Sequence, residues 1–180
     1  EEKNKTFMYI FQNSDLRKTL LNLISKKKNI KIIKESVSEI NYEKSSVFLK
    51  KRNIIYDLIV LSLGNNSPLY DKIIGGRSIN KNYKEIAITA LGKHNFKIKN
   101  ASQFFLKEGP FAILPLKRNV FSIVWSVDEN FFTKNRNELK KILIKKMRDL
   151  LGKKFKVNIK NLDNFPIYLN LKKKYFKKNI

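Results

Sequence analysis

Four short runs between residues 85 and 127 constrain the fold most: 85–91, 101–106, 111–116 and 120–127. In the last, bulky apolar residues alternate with smaller or polar ones, as in Phe121-Ser122-Ile123-Val124-Trp125. A period of two sends successive side chains to opposite faces of a strand. The polar links between the runs are too short for a crossover, so neighbours are expected to pair antiparallel. Such a sheet needs a cover for its apolar face. The stretch 135–151 supplies a helix, with Leu139, Ile142, Leu143, Met147, Leu150 and Leu151 on one side and Gly152 placed to cap its end. Lys140, Lys141, Lys145 and Lys146 take up the remaining surface, which reads as a solvated face able to meet an acidic membrane.

The first 75 residues read differently. Residues 6–11 are aromatic-rich and predict a strand, and Asn13-Ser14-Asp15 offers helix N-cap chemistry. Leu16, Leu20, Leu23 and Ile24 then follow at helical spacing, predicting a helix over 15–27 with one buried face. Further strands are expected at 29–33, 37–40 and 46–49. The near-continuous apolar run 56–64 ends in Gly64 and predicts a strand buried on both faces. Asn65, Asn66, Ser67 and Pro68 keep the next turn polar and lead into a short helix through Ile74, and Gly75-Gly76 marks a domain boundary. Neither Glu1-Glu2-Lys3 nor Lys177-Lys178-Asn179-Ile180 resembles a natural terminus, so both ends read as cuts through a longer chain.

Composition narrows the function classes. The formal charge is +24 over 180 residues, but only six of the 39 Lys and Arg residues are Arg, and the lysines are spread through every segment. Base recognition leans on the planar Arg fork. A Lys-, Asn- and Ile-rich composition also follows from A/T-rich coding alone, so the charge is read as compositional and no nucleic-acid partner is assigned. There is no cysteine, which removes disulfides, thiol catalysis and Cys-ligated zinc. The one histidine, His94, has no second His to build a metal site with and reads as an exposed loop or strand-end residue. No glycine forms a GxGxxG or P-loop turn, and Ser67 lies in no GxSxG elbow. Glu108, in Lys107-Glu108-Gly109, reads as an exposed turn residue and not as an acid or base.

Three ordered stretches carry a family resemblance. Tyr9-Ile10-Phe11-Gln12-Asn13-Ser14-Asp15-Leu16-Arg17-Lys18-Thr19-Leu20 resembles the GYxVENRxLRxAL segment of the ubiquinone-biosynthesis FAD hydroxylases. Residues 56–67 resemble that family's strand into its ADGxxS motif. The most specific is Ala101-Ser102-Gln103-Phe104-Phe105-Leu106-Lys107-Glu108-Gly109-Pro110-Phe111-Ala112-Ile113-Leu114-Pro115-Leu116, then Ser122-Ile123-Val124-Trp125-Ser126, against AxERFLPxGPxAxLPL and SxVW.

The resemblance implies an α+β, para-hydroxybenzoate-hydroxylase-like fold. Residues 1–75 would be the later, α/β part of an FAD-binding domain, and 76–180 a truncated substrate domain built on a mixed or antiparallel sheet. It implies a flavoprotein oxidoreductase: an FAD-dependent monooxygenase, reduced by NAD(P)H, that hydroxylates a polyprenylated phenol in ubiquinone biosynthesis. By position, Asn13, Leu16, Arg17, Gly64 and Ser67 would flank the cofactor, and Gly109 and Pro110 would face substrate and flavin. No catalytic residue is assigned, because the ring chemistry belongs to the cofactor. Phe104, Phe105, Phe111, Ile113, Phe121, Ile123 and Trp125 would suit an apolar substrate, or fill the core. The family implies a cytoplasmic enzyme working in a ubiquinone-biosynthesis complex, compatible with peripheral contact at the inner membrane. Several charged family positions are replaced, by Ser14, Leu63, Tyr70, Gln103 and Phe104. Those losses favour an alternative, a non-catalytic relative acting as a basic binding or membrane-docking module.

Overall fold

The computed structural model describes residues 8–64, 67–75, 78–95 and 98–176. Expectations at Glu1–Lys3, Thr6, Phe7, Asn65, Asn66, Gly76 and Lys177–Ile180 lie outside them. The chain divides into two compact units, Glu1–Lys26 with Asn82–Tyr168, and Lys27–Lys81 with Leu169–Ile180.

The first unit is built on a five-stranded sheet of order β5-β6-β7-β4-β8, with β4 at Ser78–His94, β5 at Ser102–Leu106, β6 at Gly109–Lys117, β7 at Val120–Asp128 and β8 at Val157–Lys172. The four expected runs all form strands, and the neighbours β5–β6 and β6–β7 pair antiparallel as anticipated; β4 does not pair with its neighbour β5 but lies antiparallel against β7. Register sorts the side chains. Phe111 stands opposite Trp125 and Ile113 opposite Ile123, while Trp125 and Ile123 meet Ile88 and Ala90 of β4. All are buried on one face. That face is covered by α3 (Glu129–Asn135) and α4 (Leu139–Leu151), which contribute Phe132, Leu139, Leu143 and Met147. Burying each such large side chain stabilises the fold by roughly 1.5–3 kcal/mol.

Two local devices shape this unit. Asp128 caps α3, its carboxylate accepting from the Asn130 and Phe131 amides at 2.8 and 3.4 Å. Gly109, after the tight Lys107–Glu108 link, has φ +129°, and a Cβ there would lie 2.1 Å from the Ser126 carbonyl oxygen, so only glycine fits. The expected helix over 135–151 begins later, at Leu139, after a 3-10 turn at Arg136–Glu138, and α3 precedes it unforeseen. Gly152 ends α4 as expected, its N–H donating to the Arg148 carbonyl at 2.9 Å.

Also in this unit, α1 spans Asn13–Ser25, two residues earlier than the expected 15–27. Gln12, not the Asn13–Asp15 trio, is the N-cap, and it makes no side-chain cap bond. The expected buried face does not exist: α1 buries no residue, because nothing among the described residues covers Leu16, Leu20 and Leu23. Residues 8–11 form no strand.

The second unit holds a three-stranded antiparallel meander, β1 (Val37–Asn41), β2 (Ser46–Leu49) and β3 (Asn53–Ile55), with α2 at Pro68–Ile74. The β1–β2 turn is set by Asn41, whose Oδ1 accepts from the Glu43 and Lys44 amides at 3.1 and 3.0 Å. Ile40 and Ile73 are the buried centre of its small core. No strand forms at 29–33. The run 56–64 is not a strand buried on both faces either. Ile59 and Leu61 pack on the core, but Leu58 and Val60 are 69% and 79% exposed, since among the described residues no strand covers their side.

Candidate functional site

The sheet of the first unit has two unlike faces. Its core face takes Phe111, Ile113, Phe121, Ile123 and Trp125 out of solvent altogether, and Phe104 packs against the same cluster. Those residues therefore belong to the core and do not line a substrate site; Phe105, 84% exposed, alone of that set faces the other way. The opposite face carries Ala87, Thr89, Ala112, Val124 and Ser126, all half-buried. Apolarity alone places these seven residues in one group; register sets Phe105 apart from the other six.

At one end of this second face lies a cleft of about 500 Å³. Leu91, Leu114, Leu116 and Ser122 form its sheet side. Ile10, Phe11, Gln12, Asn13 and Ser14, leading into the first turn of α1, form its other side, and Asn161 of β8 completes it. The first-turn amides of α1 lack a side-chain cap. Among the described residues no charged side chain lines the cleft, although charged residues make up 30% of the sequence. An uncharged lining, with Gln12, Asn13 and Ser14 on one side and three leucines around Ser122 on the other, suits a flat ring system with a polar edge. It thus fits the ring portion of a flavin, while the lining holds no cation to meet a diphosphate.

Of the residues singled out from sequence, Asn13 lines this cleft. Leu16 and Arg17 follow on α1, both exposed and outside the lining. Gly109 and Pro110 start β6, at the other end of the strand from Leu114 and Leu116, and do not reach the cleft. Gly64 and Ser67 lie in the second unit. Gly64 has φ +75° in open space, and the Ser67 carbonyl accepts from the Tyr70 amide at 3.2 Å where α2 begins. Sequence reasoning missed Gln12, Ser122 and Asn161, whose polar groups face a common space only after folding.

Two expectations about polar residues are corrected. His94 is only 7% exposed. It ends β4 with its ring 5.3 Å from Phe121 and stacked at 5.8 Å on Phe155. Counting by twos from Ile86 through Ile88, Ala90 and Gly92 puts His94 on the core face, and that was the signal for its burial. Glu108 is not a free turn residue: Oε1 accepts from Lys146 Nζ of α4 at 2.7 Å, with the two side chains 24% and 26% exposed. The Lys146 hydrogen bond, aided by nearby positive charge, holds its carboxyl below the usual carboxylate range despite partial burial.

No protein-family profile matches the chain, and no curated protein sequence does. Among solved structures it is similar to CmlS, a flavin-dependent halogenase, with a TM-score of 0.56 and 15% identity over 90% of this chain and 31% of the halogenase chain. The chain thus spans about a third of the length of that neighbour. At this identity the likeness shows the fold alone: α+β, of the para-hydroxybenzoate-hydroxylase type.

Proposed function

We propose that the chain is part of an FAD-dependent monooxygenase that uses NAD(P)H and hydroxylates a polyprenylated phenol in ubiquinone biosynthesis. The observation that carries this reading is the uncharged cleft between the start of α1 and the open sheet face, on a fold shared with a flavin-dependent halogenase. Two of the three family-like stretches contribute to it, the first through Asn13 and the third through Leu114 and Leu116.

Bound flavin, once reduced, supplies the oxygen activation. The chain's own residues orient and dry the site. Gln12, Asn13 and Ser14 present hydrogen-bonding groups to a ring edge, while Leu91, Leu114 and Leu116, around Ser122, exclude water from its face. Gly64 and Ser67, with Leu16 and Arg17, keep cofactor-flanking roles by resemblance, as do Gly109 and Pro110 on the substrate side.

Purification of the full-length protein tests the reading. The expected result is a yellow protein whose NAD(P)H oxidation rises on adding a prenylated phenol. A folded full-length protein without flavin would overturn it. The 180-residue chain alone is expected to bind FAD weakly, because the described lining of the cleft offers no cation to the diphosphate; submicromolar affinity in a titration would contradict this. Replacement of family charges by Leu63 and Phe104, the latter packed into the core, supports the second reading, a non-catalytic binding relative. Flavin bound without any substrate-stimulated turnover would favour it.

A further inference from the structure

The stretch Leu139–Lys156 shows its charge in an ordered way. It contains eight basic residues and one acid, Asp149. Leu139, Leu143 and Met147 fix one side of α4 in the core, so Lys140, Lys141, Lys145 and Arg148 are held on the solvent side. Lys146 turns to Glu108, and Lys141 Nζ lies 3.8 Å from Glu138 Oε1 while staying exposed. Just beyond the helix, Lys153, Lys154 and Lys156 are exposed on a turn pinned from beneath. Phe155 is buried against His94 and Phe121, and the Lys156 amide donates to Asn95 Oδ1 at 2.9 Å. Seven cations thus sit on a rigid support (helix and pinned turn), unlike lysines on unsupported loops.

We infer that this basic surface docks the protein on anionic lipid headgroups. It is independent of the catalytic reading. Seven cations gathered on one supported surface match the negative potential of an anionic leaflet, whereas phosphate-fork and base recognition favour Arg, of which the stretch holds one. Base stacking has nothing to use, since the one aromatic in the stretch, Phe155, is buried. The apolar side of α4 is committed to the core, so the helix does not insert. Contact is therefore electrostatic, reversible and salt-sensitive.

The experiment is co-sedimentation of the full-length protein with phosphatidylcholine vesicles, with and without phosphatidylglycerol, across a salt series. Each basic residue near an anionic surface raises partitioning about five-fold, so reversing Lys140, Lys141, Lys145 and Arg148 to Glu lowers it by at least about 100-fold. A matched reversal of Lys31, Lys44, Lys50 and Lys51, exposed in the second unit, corrects for total charge and is expected to retain most binding. Should charge reversal impair folding by circular dichroism, the corresponding Gln sets replace both. Lack of phosphatidylglycerol-dependent binding overturns the inference. So does an equal loss in the matched control, or tighter binding to duplex RNA that the same four substitutions abolish.

Discussion

The two units solve the problem of burial to different depths. The first closes its own core: Trp125, Phe111, Phe121, Phe155, Leu143 and Met147 are all sealed between one sheet face and two helices. The second gathers a few apolar residues around Ile40 and Ile73 and leaves Ile55, Leu58 and Val60 in solvent. An antiparallel meander with one short helix has only one face to cover, whereas a run apolar on both sides needs neighbours on both. Regular alternation describes a self-sufficient layer; a continuous apolar run describes one layer of something larger.

Cavity-forming substitutions probe this contrast most strongly. Leu143→Ala in α4 is expected to cost about 3–5 kcal/mol, and Ile40→Ala about 2 kcal/mol or less, by urea denaturation followed by circular dichroism. Equal costs would break the comparison. Glycines come next. Gly109→Ala drives a methyl into the Ser126 carbonyl and should lose about 2–3 kcal/mol, while Gly64→Ala meets open space and pays only for its positive φ, about 1 kcal/mol. The Glu108–Lys146 tie is smaller. Glu108→Gln should cost about 1 kcal/mol at neutral pH. Because the folded pKa is lowered, this contribution is present above the ordinary value of 4.5 and lost as pH falls through the folded value. The wild-type and variant stabilities should therefore converge in acid; a constant gap would assign the effect to packing. Smallest of all, Leu58→Ser with Val60→Thr should change stability by no more than about 0.5 kcal/mol, as for exposed sites. A loss of several times that would mean these side chains are covered in solution.

The fold of the first unit was legible wherever local period and final environment agree. Residues 120–127 alternate cleanly and became β7 as read, and 111–116 became β6 with a register shift after Pro115. β8 was missed because Asn161, at φ +49°, and Pro166 interrupt an otherwise alternating stretch. Periodicity identified which face of α1 is apolar, but it carries no information on whether anything packs there. The candidate site was less legible still. Asn13 stood out through its motif, but Ser122 and Asn161 reach the cleft only through strand order. Glu108 finds its partner 38 residues away, a contact no local pattern encodes.

Trp125 is the sole tryptophan and is wholly buried, edge-on to Phe111 at 5.7 Å and to Phe131 at 5.4 Å. Intrinsic indole fluorescence of this molecule therefore watches the first unit and is blind to the second. Its emission should shift to the red only when the sheet parts from its helices, leaving the tyrosine signal and far-ultraviolet dichroism to register any earlier loss of the meander. Non-coincident curves from these probes would time the two units separately without a single label being attached.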